Sequence, residues 1–488
     1  MFFGREYYLG RLAELLAKPM ASVVTCRGRR RVGKSTLFEE FARRNGCRFL
    51  KIEGLTPGKR IRDEDQRTAF GQQLARQSRL PEVVPSNWPQ AFQLADSAIS
   101  DDGWTVLLLD EISWMGSRSR TFAADLKVAW DYLFRKHARL ILVLCGSVSS
   151  WLTENIVKST GVLGRRSLDF VLPELPVSDA VKFWGEAAGR RSSREILDTL
   201  AVTGGVPRYL EEMNPDLPVD ENVRRTSFLP DGYLFADFEN IFDRVFGRKA
   251  RRKRQILGAL ADGPRTVSEV AAALGLERNG MLSADLMELD TAGFVAADRG
   301  LNPATGEQAL QTRYRIKDCY SRFYLRYVLP ERERIEKGLF DATPLSALPG
   351  WETLLGLQFE TLVANNLKSI LPHLGLSGVN ILSAAPWIRR GGHGEGCQID
   401  LLLQTESSAY VVEIKRRREI PASIVDEVQA KIDRLPLRRG LSVRTALVYD
   451  GELAPSVVRR GWFDFLVPAD TLLAPAAGFI GSPNVRHA

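Results

Sequence analysis

The segment Gly28-Arg29-Arg30-Arg31-Val32-Gly33-Lys34-Ser35 constrains the fold of this chain more than any other feature. Two glycines followed by a lysine and a hydroxyl residue, in this spacing, are typical of a loop that wraps around phosphate groups. An apolar run, Ser22–Cys26, precedes the loop, and a helical segment, Thr36–Arg43, follows it. This order directs backbone N–H groups and the positive end of a helix dipole towards bound phosphates. It predicts a strand, a phosphate loop and a helix within a parallel α/β domain.

Several residues of this segment are predicted to contact a nucleotide. The glycines let backbone N–H groups close around the phosphates, and Lys34 would neutralise charge on the β- and γ-phosphates. The Ser35 hydroxyl would ligate Mg²⁺. The predicted contacts from the loop are Gly28, Gly33, Lys34, Ser35 and Thr36.

Residues 1–175 alternate short apolar runs with helical patterns, which predicts a parallel sheet with helices on both faces. The runs are Ser22–Cys26, Arg48–Ile52, Val106–Asp110 and Leu140–Cys145. Residues 176–245 predict a helical lid, which a Gly-Gly-Val-Pro segment interrupts at Gly204–Pro207. A linker is expected near Asp243–Arg248, and another near Glu331–Pro349.

Two of these runs end in polar residues that suit nucleotide chemistry. Asp110 ends one strand and is placed to hold Mg²⁺ through water, while Glu111 follows it and is placed to polarise the attacking water. Ser147 follows the run that ends at Cys145, and it is either a sensor of the γ-phosphate or a simple strand end. Arg165 either supplies positive charge near the γ-phosphate or lies on the surface.

Residues 246–330 predict a winged helix-turn-helix, with three helices followed by two strands, Phe294–Ala297 and Leu310–Ile316. The helix Gly280–Ala292 would enter the major groove, but its three acidic residues argue against tight sequence readout there. The basic run Arg248–Arg254 is better suited to holding phosphates, which position DNA without reading its sequence. The alternative is that this module only packs between two α/β domains.

Residues 345–488 predict a second α/β domain. Its expected strands are Asn380–Ala384, Gln398–Leu403, Tyr410–Lys415 and Arg444–Tyr449, with helices over about 352–371 and at Ala422–Leu435. Asp400 is predicted to face away from Ile399 and Leu401, because strand side chains alternate.

The central hairpin of this domain carries a group of charged residues. If its register is symmetric about the turn 405–408, Asp400 lies opposite Glu413, and Lys415 shares the face of Glu413. Directly opposed carboxylates repel, so the pair is expected to require a divalent cation such as Mg²⁺ or Mn²⁺. Glu360 lies on a largely apolar helix face and would be a third acid of the same metal site, since a buried carboxylate is costly unless paired.

Composition limits the remaining possibilities. The apolar fraction is 44% and the charged fraction 26% over 488 residues, which are ordinary globular values. No 18-residue apolar run and no signal peptide are found, so a cytoplasmic chain with no membrane contact is expected. The five cysteines and four histidines show no paired spacing, which argues against a disulfide framework or a zinc site. The net charge of +8 fits either a nucleic-acid partner or a solvated basic surface.

Residues 1–210 resemble the archaeal-type ATPases of the AAA+/STAND group. The segments that carry this resemblance are Phe3-Gly4-Arg5-Glu6, Gly28–Ser35, Asp110-Glu111, Cys145-Gly146-Ser147, Gly164-Arg165 and Thr203–Pro207. The resemblance implies ATP as the nucleotide. It also implies that Arg5 lies by the adenine and that Pro207 contacts the nucleotide.

Residues 345–450 resemble the PD-(D/E)XK nuclease fold, with Asp400, Glu413-Ile414-Lys415 and the helical acid Glu360 in the motif positions. Ile399 stands where the motif often has proline. The whole chain resembles the archaeal ATPases with a C-terminal DUF234-type domain. These resemblances imply an ATPase coupled to metal-dependent cleavage of nucleic acid, DNA in particular, in which Lys415 positions or deprotonates the nucleophile. The alternative is an ATP-driven regulatory switch that binds DNA or protein and has an inactive nuclease-like domain. A homo-oligomer is compatible with either function.

Overall fold

The computed structural model describes residues 2–56, 61–100, 102–147, 166–277, 280–340, 344–389, 391 and 396–474. The chain divides into two compact units. The first is Met1–Glu174 with Asp243–Gly247, and the second is Leu175–Phe242 with Arg248–Ala488. Apart from residues 243–247, the second unit therefore contains the predicted lid, the predicted winged helix and the predicted nuclease-like domain.

The first unit is built on a parallel sheet with the strand order β2-β3-β4-β1-β5. Four of its strands are those that the apolar runs predict, and β5 is additional. The strands are Ser22–Arg27 (β1), Arg48–Glu53 (β2), Thr105–Asp110 (β3), Leu140–Gly146 (β4) and Arg166–Val171 (β5).

Helices cover both faces of this sheet, as predicted. Alternate residues of β3 enter different cores: Val106 and Leu108 pack with α1 and α2, and Leu107 and Leu109 pack with α3, α4 and α6. The two-residue period of a strand explains this division, because successive side chains point to opposite faces. The described helices are Glu6–Leu16 (α1), Lys34–Arg44 (α2), Asp63–Gln77 (α3), Trp88–Ser97 (α4), Ile112–Gly116 (α5) and Phe122–Tyr132 (α6).

The second unit begins with the helices that the sequence predicts after residue 175, and the last of them ends in residues 243–246 of the first unit. They are Val177–Ala180 (α7), Ser193–Thr203 (α8), Pro207–Leu210 (α9), Val219–Ser227 (α10) and Tyr233–Phe246 (α11). The first part of the segment near Asp243–Arg248, where a linker is expected, is helical, because α11 continues to Phe246.

A module of three helices and a small antiparallel sheet follows. The helices are Ala250–Ala259 (α12), Val267–Ala273 (α13) and Gly280–Thr291 (α14). The strands are Arg265–Thr266 (β6), Val295–Asp298 (β7) and Arg313–Ile316 (β8), in the order β6-β8-β7. The two expected strands are present, although β8 is shorter than predicted, and β6 adds a third. Two short helices, Cys319–Phe323 (α15) and Arg332–Glu336 (α16), lead out of the module.

The C-terminal part of the second unit is a mixed sheet with the order β13-β12-β11-β10-β9. Strands β9, β10 and β11 are antiparallel, and β11, β12 and β13 are parallel. The elements are Trp351–Asn365 (α17), Leu367–Ile370 (α18), Ser383–Arg389 (β9), Cys397–Gln404 (β10), Ser408–Ile420 (β11), Ser423–Asp433 (α19), Ser442–Leu453 (β12), Pro455–Arg460 (α20) and Phe465–Pro468 (β13). The predicted strand Asn380–Ala384 is displaced to β9, which pairs with β10 through residue 389.

Each face of this sheet has its own core. One face packs Leu401, Leu403, Val412 and Ile414 against α17, and the same core includes Leu197 and Leu200 of α8. The other face packs Ile399, Leu402 and Val411 against α19 and α20. The predicted lid helices therefore share a core with the C-terminal sheet. None of the described helices is both long and apolar enough to cross a membrane.

Candidate functional sites

The predicted phosphate loop lies between β1 and α2, as expected from the sequence. The Lys34 ammonium donates hydrogen bonds to the carbonyl oxygens of Gly28 and Arg29, each at 3.0 Å, and thereby closes the loop on itself. Lys34 is buried, and Gly33 has a φ of 83°, a left-handed conformation that glycine adopts without strain. Helix α2 begins at Lys34, so Ser35 and Thr36 lie in its first turn, where N–H groups are free to bind phosphate.

Gly28 is required for a different reason, since no side chain fits at its position. A Cβ atom there would lie 2.6 Å from the carbonyl oxygen of Leu172. The loop is thus packed against the chain that follows β5, and that chain also holds Arg29 through an ion pair of 3.0 Å with Glu174.

The predicted Mg²⁺ ligands lie side by side, with Ser35 in the first turn of α2 and Asp110 at the carboxyl end of β3. The Ser35 hydroxyl donates a hydrogen bond directly to Asp110, and Asp110 is 5% exposed. Lys51 of β2 lies 3.5 Å from the same carboxylate. Burial lowers the pKa of Lys51, but the neighbouring Asp110 and Glu53 outweigh it, so the net pKa is raised. No sequence motif indicates Lys51, because its position beside Asp110 depends only on the pairing of β2 with β3.

Glu111 and Ser147 form a second contact at the same edge of the sheet. The Ser147 hydroxyl donates to both oxygens of Glu111, at 2.9 and 2.7 Å, and the Ser147 N–H donates at 3.1 Å. Glu111 has a φ of 48°, which is unusual for a residue other than glycine and is characteristic of functional sites. The carboxylate is buried and held in one orientation by Ser147.

Arg5 reaches the phosphate loop from the start of α1. Its guanidinium donates to the carbonyl oxygens of Val32, at 3.1 Å, and Glu174, at 3.3 Å. Its implied place by the adenine stays a prediction. Pro207 is the first residue of α9 in the second unit, and its role at the nucleotide also stays a prediction. Arg165 lies outside the described residues.

The second candidate site lies in the C-terminal part of the second unit. The predicted hairpin register is confirmed from Gln404↔Ala409 to Leu401↔Val412. Asp400 accepts a hydrogen bond of 3.0 Å from the N–H of Ile414. Asp400 and Glu360 line the same small cavity of about 90 Å³.

The predicted alternation around Asp400 is wrong. Ile399 and Leu401 were expected on one face, but they belong to the two cores on opposite faces of the sheet. The pairing of β10 with β9 is irregular between Ile399 and Leu402, where the register shifts. Such an irregularity re-aims side chains and is common beside active sites. In this protein the irregularity lies in β10, in the stretch that contains Asp400.

The expectation that Glu413 shares a cation with Asp400 and Glu360 stays a prediction, and the structure adds two lysines to the surroundings of Glu413. Glu413 is fully buried, and two ammonium groups neutralise it: Lys415 at 2.5 Å, and Lys431 at 2.6 and 2.7 Å from its two oxygens. Across the described ranges, no group of three or more His, Cys, Asp and Glu side chains is arranged to hold a metal ion. Among the described residues, Glu360 and Asp400 line one cavity, whereas Glu413 is paired with lysines.

The sequence contained a signal for Lys431 that was missed. Val428 lies three residues earlier on α19 and is buried, so Lys431 falls on the inward face of the helix. A lysine on such a face needs a buried partner.

The ionisable groups at and beside the cavity have raised pKa values. Burial, and then the nearby Asp400, raise the pKa of Glu360 to about 8. Burial, followed by Glu413, also raises the pKa of Asp400. Burial alone would lower the pKa of Lys415, but Glu413 and Asp400 raise it overall. The two carboxylates in the cavity thus hold protons more tightly than carboxylates in water, as expected where a cation would replace a proton.

Arginines from the preceding module complete this cavity. Arg315 pairs with Asp298 at 2.9 Å, and Arg322 is almost fully buried, where burial lowers its pKa to about 10. Both side chains line the cavity with Glu360 and Asp400. The sequence placed them in a different domain, so nothing linked them to the carboxylates.

The basic run Arg248–Arg254 does not form the free phosphate-binding strip that the sequence suggested. Lys253 is fully buried and lies 3.1 Å from Asp285 and 2.8 Å from Glu288, and Arg252 lies 2.7 Å from Asp285. The acidic residues of α14, which argued against sequence readout, are used inside the module. Arg248 and Arg251 are exposed.

Comparisons with known proteins find distant similarity. No family model matches the chain. An uncharacterised protein of Methanocaldococcus jannaschii, MJECL04, is 24% identical over 422 residues, which cover 85% of this chain and 87% of that protein. Among solved structures, the Walker-type ATPase paby2304 of Pyrococcus abyssi is 19% identical, with a TM-score of 0.47, over 67% of this chain and 96% of its own. The ORC2 protein of Aeropyrum pernix is 15% identical, with a TM-score of 0.39, over 68% of this chain and 91% of its own.

Proposed function

We propose that the first unit binds ATP with Mg²⁺ and hydrolyses it. The observation that carries this proposal is the hydrogen bond from Ser35 to Asp110. It joins the end of the phosphate loop to the end of β3 and places two oxygen ligands for Mg²⁺ next to each other. The choice of ATP over other nucleotides rests on the resemblance of residues 1–210 to archaeal-type ATPases.

Each residue at this edge has a distinct role in the proposal. Lys34 exchanges its two carbonyl partners for phosphate oxygens, and Ser35 with Asp110 holds the cation. Glu111 polarises the attacking water, and Ser147 orients Glu111 through its hydroxyl and N–H. Bound Mg²⁺ would neutralise charge on the β- and γ-phosphates.

Nucleotide turnover by three variants tests this proposal. Lys34→Ala is expected to abolish ATP turnover and weaken binding, whereas Glu111→Gln is expected to retain bound ATP and slow its hydrolysis in a single turnover. Lys18→Ala removes an exposed lysine of the same unit and is the matched control. Turnover by Lys34→Ala at the rate of the Lys18→Ala control would refute the proposal.

We further propose that the second unit cleaves nucleic acid, DNA in particular, with a divalent cation at Glu360 and Asp400. The supporting observation is that these two half-buried carboxylates line one cavity and that Lys415 lies in the same charge cluster. Mg²⁺ is commonly held by one or two carboxylates together with substrate phosphates. A bound cation would activate water and neutralise the scissile phosphate. Glu413 and Lys431 then position Lys415 rather than bind the metal.

Cleavage and metal binding are tested separately. Plasmid and linear DNA are incubated with Mg²⁺ or Mn²⁺, with wild type, Lys415→Ala and the exposed control Lys368→Ala. We expect Lys415→Ala alone to lose cutting. Mn²⁺ is expected to raise the melting temperature of wild type and of exposed Asp433→Ala more than that of Asp400→Ala. Equal Mn²⁺ shifts for all three, with no nucleic acid cut, would instead favour a regulatory switch with an inactive nuclease-like domain.

A further inference from the structure

A groove in the second unit lies between the loop that joins β7 to β8 and the edge strand β9. Its cavity is about 360 Å³, which is in the range of small-molecule sites. One wall is the loop, with Leu301, Asn302 and Gln311, and the other is β9, with Pro386 and Trp387.

The loop is fixed onto the sheet by specific hydrogen bonds. The N–H of Leu301 donates to the Ser383 hydroxyl at 3.1 Å, and the Gln404 amide donates to the carbonyl of Leu301 at 3.1 Å. The N–H of Arg438 donates to the carbonyl of Pro303 at 2.9 Å. The predicted wing is therefore docked on the C-terminal sheet, and the groove has two ordered walls.

The groove adjoins the carboxylate cavity. Asp298, Ala385 and Pro386 line both the groove and the smaller cavity of Glu360 and Asp400. A molecule that fills the groove would therefore end beside the two carboxylates. This continuity is the reason to consider the groove as a part of a substrate site.

The chemistry of the lining suits an unpaired nucleotide. Trp387 is half-buried and offers an aromatic surface, and stacking of bases on aromatic side chains tolerates any base. Asn302 and Gln311 are exposed amides that can donate and accept hydrogen bonds. Exposed Arg299 and Arg389 neighbour lining residues in the chain, and neither has an ion-pair partner within the part of the chain that the structure describes.

The same features disfavour a peptide as the occupant. A peptide would add to the open edge of β9 through backbone hydrogen bonds. Pro386 lies in this edge strand and has no N–H, so it interrupts such a ladder. Duplex DNA is also disfavoured, because paired bases cannot reach a tryptophan within a groove of this size without unstacking.

We propose that this groove binds one nucleotide of a single-stranded nucleic acid, with its base on Trp387 and its backbone leading towards Glu360 and Asp400. The proposal rests on the cleavage function proposed above and specifies its substrate as an unpaired strand. The basic side chains at the rim attract the phosphates, and the wing and β9 select an unstacked base.

Binding in the absence of metal tests this inference independently of cleavage. Full-length protein in EDTA is titrated into fluorescein-labelled oligothymidylate of 12 nucleotides, and into a labelled duplex of equal length. We expect the single strand to bind more tightly. Trp387→Ala should weaken its binding about 10-fold, because stacking on one aromatic side chain contributes about that much.

Two further variants control for folding. Trp462→Ala removes a half-buried tryptophan from the same core beside β13, at the opposite edge of the sheet, and should leave binding unchanged. Gly300→Leu should weaken binding while leaving Trp387 in place, because its side chain would occupy the groove. Even a Cβ atom at this position would lie 3.4 Å from the Cβ of Ala385. Trp387→Phe should retain most of the binding.

The outcomes separate this inference from the cleavage proposal. If binding depends on Trp387 and Gly300 but no metal supports cleavage, the groove is a nucleotide-binding site and the proposed nuclease activity is wrong. If both Trp387→Ala and Gly300→Leu bind the single strand as tightly as wild type, the proposed role of the groove is wrong, even if cleavage occurs. Equal affinity for the duplex would also overturn it.

Discussion

At the scale of single residues, the most consequential arrangement is the pair of lysines on Glu413. A fully buried carboxylate is stable only when its charge is neutralised, and here Lys415 and Lys431 share that role. Lys415 is therefore held by the acid that was expected to bind metal. Its side chain is only 21% exposed, and the negative charges of Glu413, Asp400 and Glu360 raise its pKa against the effect of burial.

We predict that Lys431→Met destabilises the second unit. Breaking a buried ion pair costs about 3–5 kcal/mol, and the remaining partner Lys415 should reduce this to about 2 kcal/mol. Urea denaturation measures the loss, and the double variant Lys431→Met/Glu413→Gln should recover part of it. If the double variant is as unstable as the sum of the two single variants, Lys431 and Glu413 do not interact.

The raised pKa of Glu360 predicts a pH dependence of stability. Its pKa is about 8 in the folded protein against an ordinary 4.5, so its contribution is fully present below pH 4.5 and is lost as the pH rises through 8. Between these values, wild type should lose about 1.4 kcal/mol of unfolding free energy per pH unit from this group. Glu360→Gln cannot lose a proton and should not show this loss. Melting temperatures of both proteins in EDTA, from pH 5 to 9, test it, and parallel profiles would contradict the assignment.

At the scale of elements, helix α8 of the predicted lid is tied to the strand that carries Lys415. The Arg416 guanidinium lies 2.6 Å from Asp198 of α8, 2.8 Å from Glu352 of α17 and 3.3 Å from Asp450 of β12. Its side chain is 3% exposed. Burial raises the pKa of Asp198 to about 6, although Arg416 opposes this shift. The guanidinium of Arg416 therefore links α8, α17 and β12 to the strand β11.

We predict that Arg416→Met loosens this junction, because it leaves the carboxylates of Asp198 and Asp450 without their central cation. The expected cost is about 3 kcal/mol, in the range for breaking a buried pair. The neighbouring Arg417 is exposed, so Arg417→Met should change stability by less than about 0.5 kcal/mol. Urea denaturation compares the two, and equal effects would mean that the network contributes nothing specific.

The basic run of α12 gives a second prediction at this scale. Replacing Arg248 and Arg251 by glutamine should leave stability unchanged and reduce the salt dependence of any DNA binding by a slope of at most about 2. Lys253→Gln should instead lower the melting temperature, since it leaves Asp285 with one partner fewer. A larger change in salt slope from Lys253→Gln than from the double variant would show that the run is rearranged on DNA.

At the scale of the whole molecule, the two candidate sites belong to the two compact units of one chain. We predict that nucleotide controls cleavage, so that ATP changes the cutting rate of wild type several-fold and has no effect on Lys34→Ala. Cleavage rates with and without ATP test this in Mn²⁺, with Lys18→Ala as the control. If Lys34→Ala cuts as fast as wild type in the presence of ATP, nucleotide does not control cleavage. That result would not contradict the proposed ATPase site or the proposed nuclease site.

The sequence by itself determined the local features of this protein. The phosphate loop, four strands of the first sheet and the hairpin register of β10 and β11 follow from short-range patterns: glycine spacing, strand period and turn symmetry. The residues Lys34, Ser35, Asp110, Asp400 and Lys415 could be proposed as site residues because each lies within such a pattern.

Only the tertiary structure decided which distant groups neutralise one another. Lys51 lies in a separate element from Asp110, Arg322 from Glu360 and Lys431 from Glu413, so no local pattern connects these pairs. The break in alternation at Asp400 comes from the pairing of β10 with β9, and the shared core of α8 and the C-terminal sheet comes from packing. Burial removes charged groups from water, and the partner that compensates for this loss is whichever group the fold brings near.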